Sequence, residues 1–111
     1  MLKYPKFPLC KGQWKNDKLW GLALRHFNNS FIYRGQFTND QRSGHGLEYI
    51  NEDVIYEGQF LEDQRSGYGT AYKKGRVIYA GGWFNGQRHG QGIEILKDQM
   101  YYRLVIVDII S

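Results

Sequence analysis

Glycine recurs in this chain at a spacing of 23, in three columns. Gly12, Gly35, Gly58 and Gly81 form the first, and Gly21, Gly44, Gly67 and Gly90 the second. Gly46, Gly69 and Gly92 form the third, with Ala23 in its first slot. Eleven of the fourteen glycines fall in these columns, which chance placement does not produce. The chain is therefore a tandem array of one short unit, held together mainly by contacts between neighbouring units.

Aromatic residues keep the same step. Tyr33-Arg-Gly-Gln-Phe37, Tyr56-Glu-Gly-Gln-Phe60 and Tyr79-Ala-Gly-Gly-Trp83 each open a unit, and Cys10-Lys-Gly-Gln-Trp14 is a weaker first copy. The middle of the unit recurs as Gln41-Arg-Ser-Gly-His-Gly46, Gln64-Arg-Ser-Gly-Tyr-Gly69 and Gln87-Arg-His-Gly-Gln-Gly92. Apolar pairs precede each tyrosine, and Met100-Tyr101 opens what reads as the first strand of a fifth unit. Aromatics at 16% and fourteen Gly against two Pro point to strands and turns. The organisation predicted is a leader at 1–9, units at 10–32, 33–55, 56–78 and 79–101, and a C-terminal strand or cap at 102–111, with Met1 favouring a natural start.

Within a unit the pattern predicts strand, turn, strand. From Val54 to Phe60 the residues alternate, with Val54, Tyr56, Gly58 and Phe60 on one face and Ile55, Glu57 and Gln59 on the other. Leu61 to Ser66 reads as a polar turn closed by Gly67, followed by a second strand to about Tyr72. The fold class is all-β, an antiparallel meander of hairpins, none of them stable alone. At about 4.8 Å per strand it spans about 43 Å. Glycine inside a strand marks close approach of another group. We expect Gly58 opposite Gly69 and Phe60 opposite Gly67, with the rings roofing the glycine columns.

These motifs resemble the MORN (membrane occupation and recognition nexus) repeat family: Tyr-x-Gly-x-aromatic, a polar turn, then Gly-x-Gly and a hydrophobic strand, with a period of 23. The resemblance implies an elongated, single-layered, twisted sheet with an aromatic groove along one face. It also implies a non-catalytic scaffold holding partner proteins, often at cytoskeletal or membrane-associated structures. Cys10 in the tyrosine slot, Ala23 in a glycine slot, and Glu48 and Glu94 in a slot often apolar depart from the pattern. So does the terminal Leu-Val-Ile-Val-Asp-Ile-Ile.

Trp14, Tyr33, Phe37, Tyr56, Phe60, Tyr79 and Trp83 are the candidate protein-binding surface. They are either the core of a thin protein or, in part, an open groove for a peptide, a helix or a second copy. Arg42, Arg65 and Arg88 form a ladder that could meet an acidic protein or lipid phosphates, with Lys18 one column away. Asp17, Asp40 and Asp63 recur two residues before that column, so local charge pairing is the simpler account. Gly35, Gly44, Gly46, Gly58, Gly67, Gly69, Gly81, Gly90 and Gly92 are structural. Leu104 to Ile110 either caps the sheet or pairs with another chain as a strand edge.

Chemistry-bearing constellations are sparse. His26, His45 and His89 share no column and no metal-site spacing, and Cys10 has no histidine close in sequence. Gly44-His-Gly46 lacks the Lys-Ser/Thr of a phosphate loop. The expectation is no catalysis, no cofactor, no metal and no nucleic acid. The formal charge of +4 is mild, a single cysteine suits a reducing compartment, and no apolar run spans a bilayer. We expect a cytoplasmic protein-interaction scaffold, with anionic-lipid binding or regulation of an enzyme in trans as the other readings.

Overall fold

The computed structural model describes residues 9–96 and 101–107. Its strands are β1 (Leu9–Lys15), β2 (Lys18–His26), β3 (Phe31–Thr38), β4 (Gln41–Ile50), β5 (Asp53–Leu61), β6 (Gln64–Lys73), β7 (Arg76–Phe84), β8 (Gln87–Leu96) and β9 (Tyr101–Val107). They lie side by side in chain order as one open antiparallel sheet, the expected meander. The molecule measures 49 × 34 × 21 Å. β9 pairs with β8, so part of the expected terminal strand is an integral element; positions 1–8 and 108–111 of the leader and cap lie outside the described residues.

The turns are tighter than the six-residue loop expected at Leu61 to Ser66. Glu62 and Asp63 alone connect β5 to β6, both with positive φ (48° and 69°). Asn39–Asp40 and Asn85–Gly86 do the same in the flanking hairpins. Positive φ at both central residues is the turn whose twist matches that of paired strands, and Asn, Asp and Gly tolerate it. The residues read as turn after Asp63 are therefore strand.

The expected pairing of Phe60 with Gly67 is wrong, although Gly58 does face Gly69. A bulge separates the two. Gly58 opposes Gly69 and Phe60 opposes Arg65, so Gln59 alone answers Ser66, Gly67 and Tyr68. The bulge needs left-handed backbone, and Gly44, Gly67 and Gly90 supply it at φ 78°, 65° and 74°. Across the unit boundary, Phe60 instead stands opposite Gly44, and Trp83 opposite Gly67. A second bulge, between the Glu48–Tyr56 and Tyr49–Val54 pairs, leaves Ile55 over and turns it onto the core. The simple alternation that placed Ile55 away from Tyr56 fails there.

Each unit then clips to the one before it. Asp40 N–H donates to the Leu19 carbonyl (3.0 Å), and Asp40 Oδ1 accepts from Leu19 N–H (2.7 Å). Asp63 repeats both bonds with Arg42 (3.0 and 3.1 Å). Gly86 repeats only the main-chain bond, to the Arg65 carbonyl (3.0 Å).

Candidate functional site

One face of the sheet carries the rings. Tyr33, Tyr56 and Tyr79 are wholly buried, and Phe37, Phe60 and Trp83 nearly so. They meet edge to face in one zigzag: Phe37 on Tyr33 (5.1 Å), Tyr33 on Phe60 (5.0 Å), Phe60 on Tyr56 (5.2 Å), Tyr56 on Trp83 (5.2 Å) and Trp83 on Tyr79 (5.4 Å). Contacts of this geometry each contribute about 0.5–1.5 kcal/mol beyond area burial. Of the two readings of these rings, burial places six in the core; the open aromatic groove expected along them is closed. Trp14, at the first strand, remains 55% exposed.

The bulge explains the motif that fixes each ring. It frees one carbonyl and one amide from the ladder, and both find partners in the same unit. Tyr33 Oη donates to the Gln36 carbonyl (2.9 Å), while Gln36 Oε1 accepts from His45 N–H (2.9 Å). Tyr56 and Gln59 repeat the pair, with Tyr68 N–H as donor (2.9 Å each). In the last unit Gly82 stands in the glutamine position, and only the Tyr79 bond to its carbonyl remains (3.0 Å). A Cβ on Gly46, Gly69 or Gly92 would overlap the tyrosine ring of the same hairpin, which is why that column is bare.

A layer of guanidinium groups closes the ring face. Arg42 Cζ lies 5.2 Å from the Phe60 centroid and 5.7 Å from that of Tyr33. Arg65 lies 4.5 Å over Tyr56 and 5.1 Å over Trp83, and Arg88 4.4 Å over Tyr79. Glu48, only 5% exposed, accepts from Arg42 Nη1 (2.9 Å) and Arg65 Nε (2.7 Å). Asp63 Oδ1 accepts from Arg42 Nε (2.7 Å), and Glu94 Oε2 from Arg88 Nη1 (3.2 Å). The expected charge pairing exists, with a corrected partner: Arg42 pairs with the aspartate of the following unit, because that turn docks on β4. Lys18 is exposed and lies outside this layer.

Burial raises the Tyr56 phenol from its ordinary value near 10 to about 12, against an opposing pull from Arg65. Burial also raises Tyr33 and Tyr79, with Arg42 and Arg88 opposing. The folded chain thus holds these protons after the unfolded chain has released them. The stability they contribute is complete below pH 10 and is lost as pH rises above it; for Tyr56 the loss runs from 10 toward 12, at about 1.4 kcal/mol per pH unit. Thermal unfolding followed by circular dichroism should show a falling midpoint across that window. A midpoint flat from pH 10 to 12 would contradict the burial of these hydroxyls.

The opposite face is the open one. Register places Lys11, Leu24, Arg34, Leu47, Glu57, Thr70, Ala80 and Ile93 in one row across the sheet. Alongside it Leu22 is 65% and Tyr68 74% exposed, and Ile93 in the row is 41% exposed. Two shallow troughs of about 680 Å³ follow the row, one bordered by Leu22, Leu24, Arg34 and Leu47, the other by Tyr68, Ala80 and Ile93. None of these residues stood out from the sequence. Their signal was the position after the third glycine column, which reads Leu24, Leu47, Thr70, Ile93. Among the described residues no group of three His, Cys, Asp or Glu is placed to hold a metal.

A family model for the MORN repeat matches residues 10–30, 33–52, 56–75 and 79–101, four consecutive copies over most of the chain. The chain belongs to the MORN repeat family. A search of the curated proteins gave no match. MORN repeats are generally protein or membrane interaction modules. The degenerate first MORN copy is now intelligible: with Cys10 in place of the tyrosine, no ring needs a bare bed, and the Ala23 side chain lies against Gly12 instead.

Proposed function

We propose that this MORN array is a non-catalytic, cytoplasmic protein-binding module whose docking surface is the open face rather than the ring face. The observation that carries this is the exposure of Leu22, Tyr68 and Ile93 on a sheet over which the described residues lay no second layer. A one-layer sheet leaves apolar side chains in water on the face its core does not use, and such patches mark interaction sites. Lys11 and Arg34 alternate with Leu24 and Leu47 in the row, so the segment that fits the first two units carries apolar residues interleaved with acidic ones. The lipid reading is less well supported, because Arg42, Arg65 and Arg88 lie over rings and each already pairs with a carboxylate, whose charge repels a phosphate.

The test is a selection of displayed random peptides on the whole chain, followed by affinity measurements on the winners. Leu22→Glu and Leu47→Glu, both on the open face, should each weaken the peptides that dock there about tenfold, the effect of removing a central interface contact of about 1.4 kcal/mol. The thermal midpoint should stay within a few degrees of the parent. A selection in which every peptide is indifferent to both changes, or turnover of a substrate by the purified chain, would overturn the proposal. Self-association lost on the same substitutions would make a second copy the occupant.

A further inference from the structure

The repeats allow one site to be compared with itself, one unit on. Arg42 is held by two acids: Glu48, six residues later, and Asp63, in the turn of the next unit. Moved by 23, those positions are Ala71 and Gly86. Both acids that would serve Arg65 are thus replaced by residues that carry none. Arg65 reaches back to Glu48 through Nε (2.7 Å), and its Nη1 and Nη2 have no hydrogen-bond partner among the described residues. Its side chain is 23% exposed, against 14% for Arg42.

The group is nonetheless held in place. Its plane rests on Tyr56 and Trp83, and Trp83 is itself pinned by Nε1 donating to the Gly69 carbonyl (3.0 Å). Gly86 keeps the main-chain contact that Asp63 makes with Arg42 and lacks only the side chain. A Cβ added at Gly86 would find its nearest neighbour, Gln64 Oε1, at 4.0 Å, so the room the aspartate would fill is open. An oriented guanidinium with two uncommitted donors beside open space is built for a planar, bidentate anion.

We propose that Arg65 is a docking point for a carboxylate of a partner polypeptide, an Asp or Glu side chain that supplies in trans what Asp63 supplies to Arg42 in cis. The molecule shows this ligand chemistry one unit away, in the 2.7 Å bond between Asp63 Oδ1 and Arg42 Nε. A monoanion also suits the site better than a phosphate dianion, because the Glu48 carboxylate already sits on Nε and repels incoming negative charge. The site lies on the ring face, so it stands independently of docking on the open face.

Gly86→Asp tests it by restoring the internal acid. The second turn residue already accepts aspartate at Asp40 and Asp63, with φ 68° and 69° against 80° at Gly86, so the variant should fold, with its midpoint raised by a few degrees. Some peptides selected on the parent chain should keep their affinity on Leu22→Glu and Leu47→Glu, and these should be enriched in Asp or Glu. Their affinity should fall about tenfold or more on Gly86→Asp, and equally when the acid of the peptide becomes the amide. Leu47→Glu separates this claim from the previous one: peptides lost on Leu47→Glu but indifferent to Gly86→Asp sustain the open face and overturn the Arg65 site. Selected peptides without acids also overturn it. So does binding to phosphatidylcholine–phosphatidylserine vesicles that is lost on Gly86→Asp while no acidic peptide binds.

Discussion

Gly69→Ala should lower stability by about 3–5 kcal/mol, the range for losing a large buried aromatic side chain. The added methyl would lie inside the Tyr56 ring. That ring has nowhere to go: Phe60 and Trp83 meet it edge to face, its hydroxyl is bonded to the Gln59 carbonyl at 2.9 Å, and Arg65 lies over its face. Relief requires expelling the ring or separating β5 from β6, and either breaks the zigzag that joins one unit to the next. Total stabilities of domains are only about 5–15 kcal/mol, so the loss should appear as a midpoint lowered by roughly 12 °C or more in thermal circular dichroism. Gly75→Ala is the internal control. Its Cβ would meet nothing within 4 Å, leaving only the strain of a φ of 77°, about 1–2 kcal/mol. Equal costs at the two positions would mean that the tyrosines are not bedded on the third glycine column.

Glu48→Ala should be nearly as damaging, at about 3–5 kcal/mol, because it removes one partner from a buried ionic cluster and leaves the other side uncompensated. The carboxylate is 5% exposed and holds two guanidinium groups at 2.9 and 2.7 Å. Without it Arg42 keeps Asp63, whereas Arg65 keeps no acid among the described residues. Both cations must then lie over rings as like-charged neighbours or swing into water and uncover the core. Glu94→Ala offers the comparison. That side chain is 24% exposed, against 6% for Glu48, and bonds one guanidinium of the arginine layer rather than two, so its loss should cost less than that of Glu48. Urea midpoints would measure both without adding salt. A Glu48 effect no larger than that of Glu94 would show that the arginine layer is a solvated surface rather than the lid of the core.

Much of the architecture was legible because one unit is written four times. A glycine column is informative only when repeated, since a single glycine in a strand can mark a bulge, a bend or a close approach. With the columns aligned, the reading is that another group approaches the bare backbone and that Gly58 faces Gly69; Gly35, Gly58 and Gly81 each do face a glycine of the third column. The second column misled. Gly44 and Gly67 looked like turn closers, yet they sit inside the bulge, where positive φ is required a few residues after the turn itself. The Asn39–Asp40 and Asn85–Gly86 pairs were the stronger turn signals, being residue types that accept left-handed backbone. The glutamine column carried a signal too: Gln13, Gln36 and Gln59 recur at constant step, and their role appears only once the bulge shows which amide they serve.

By itself the amino-acid order determined the number of hairpins, their antiparallel succession, and the set of rings and glycines that share one side. Period and alternation are properties of the backbone repeat, and these residues obey them. Which side faces water was decided only by the folded molecule. Alternation sorts side chains into two sets without saying which is covered. In a one-layer sheet the cover comes from long side chains of other units: Arg42 lies across rings of its own and the next hairpin, and Asp63 reaches back to hold it. Those contacts join residues about 20 positions apart, through a register that two bulges shift within each of the two central units.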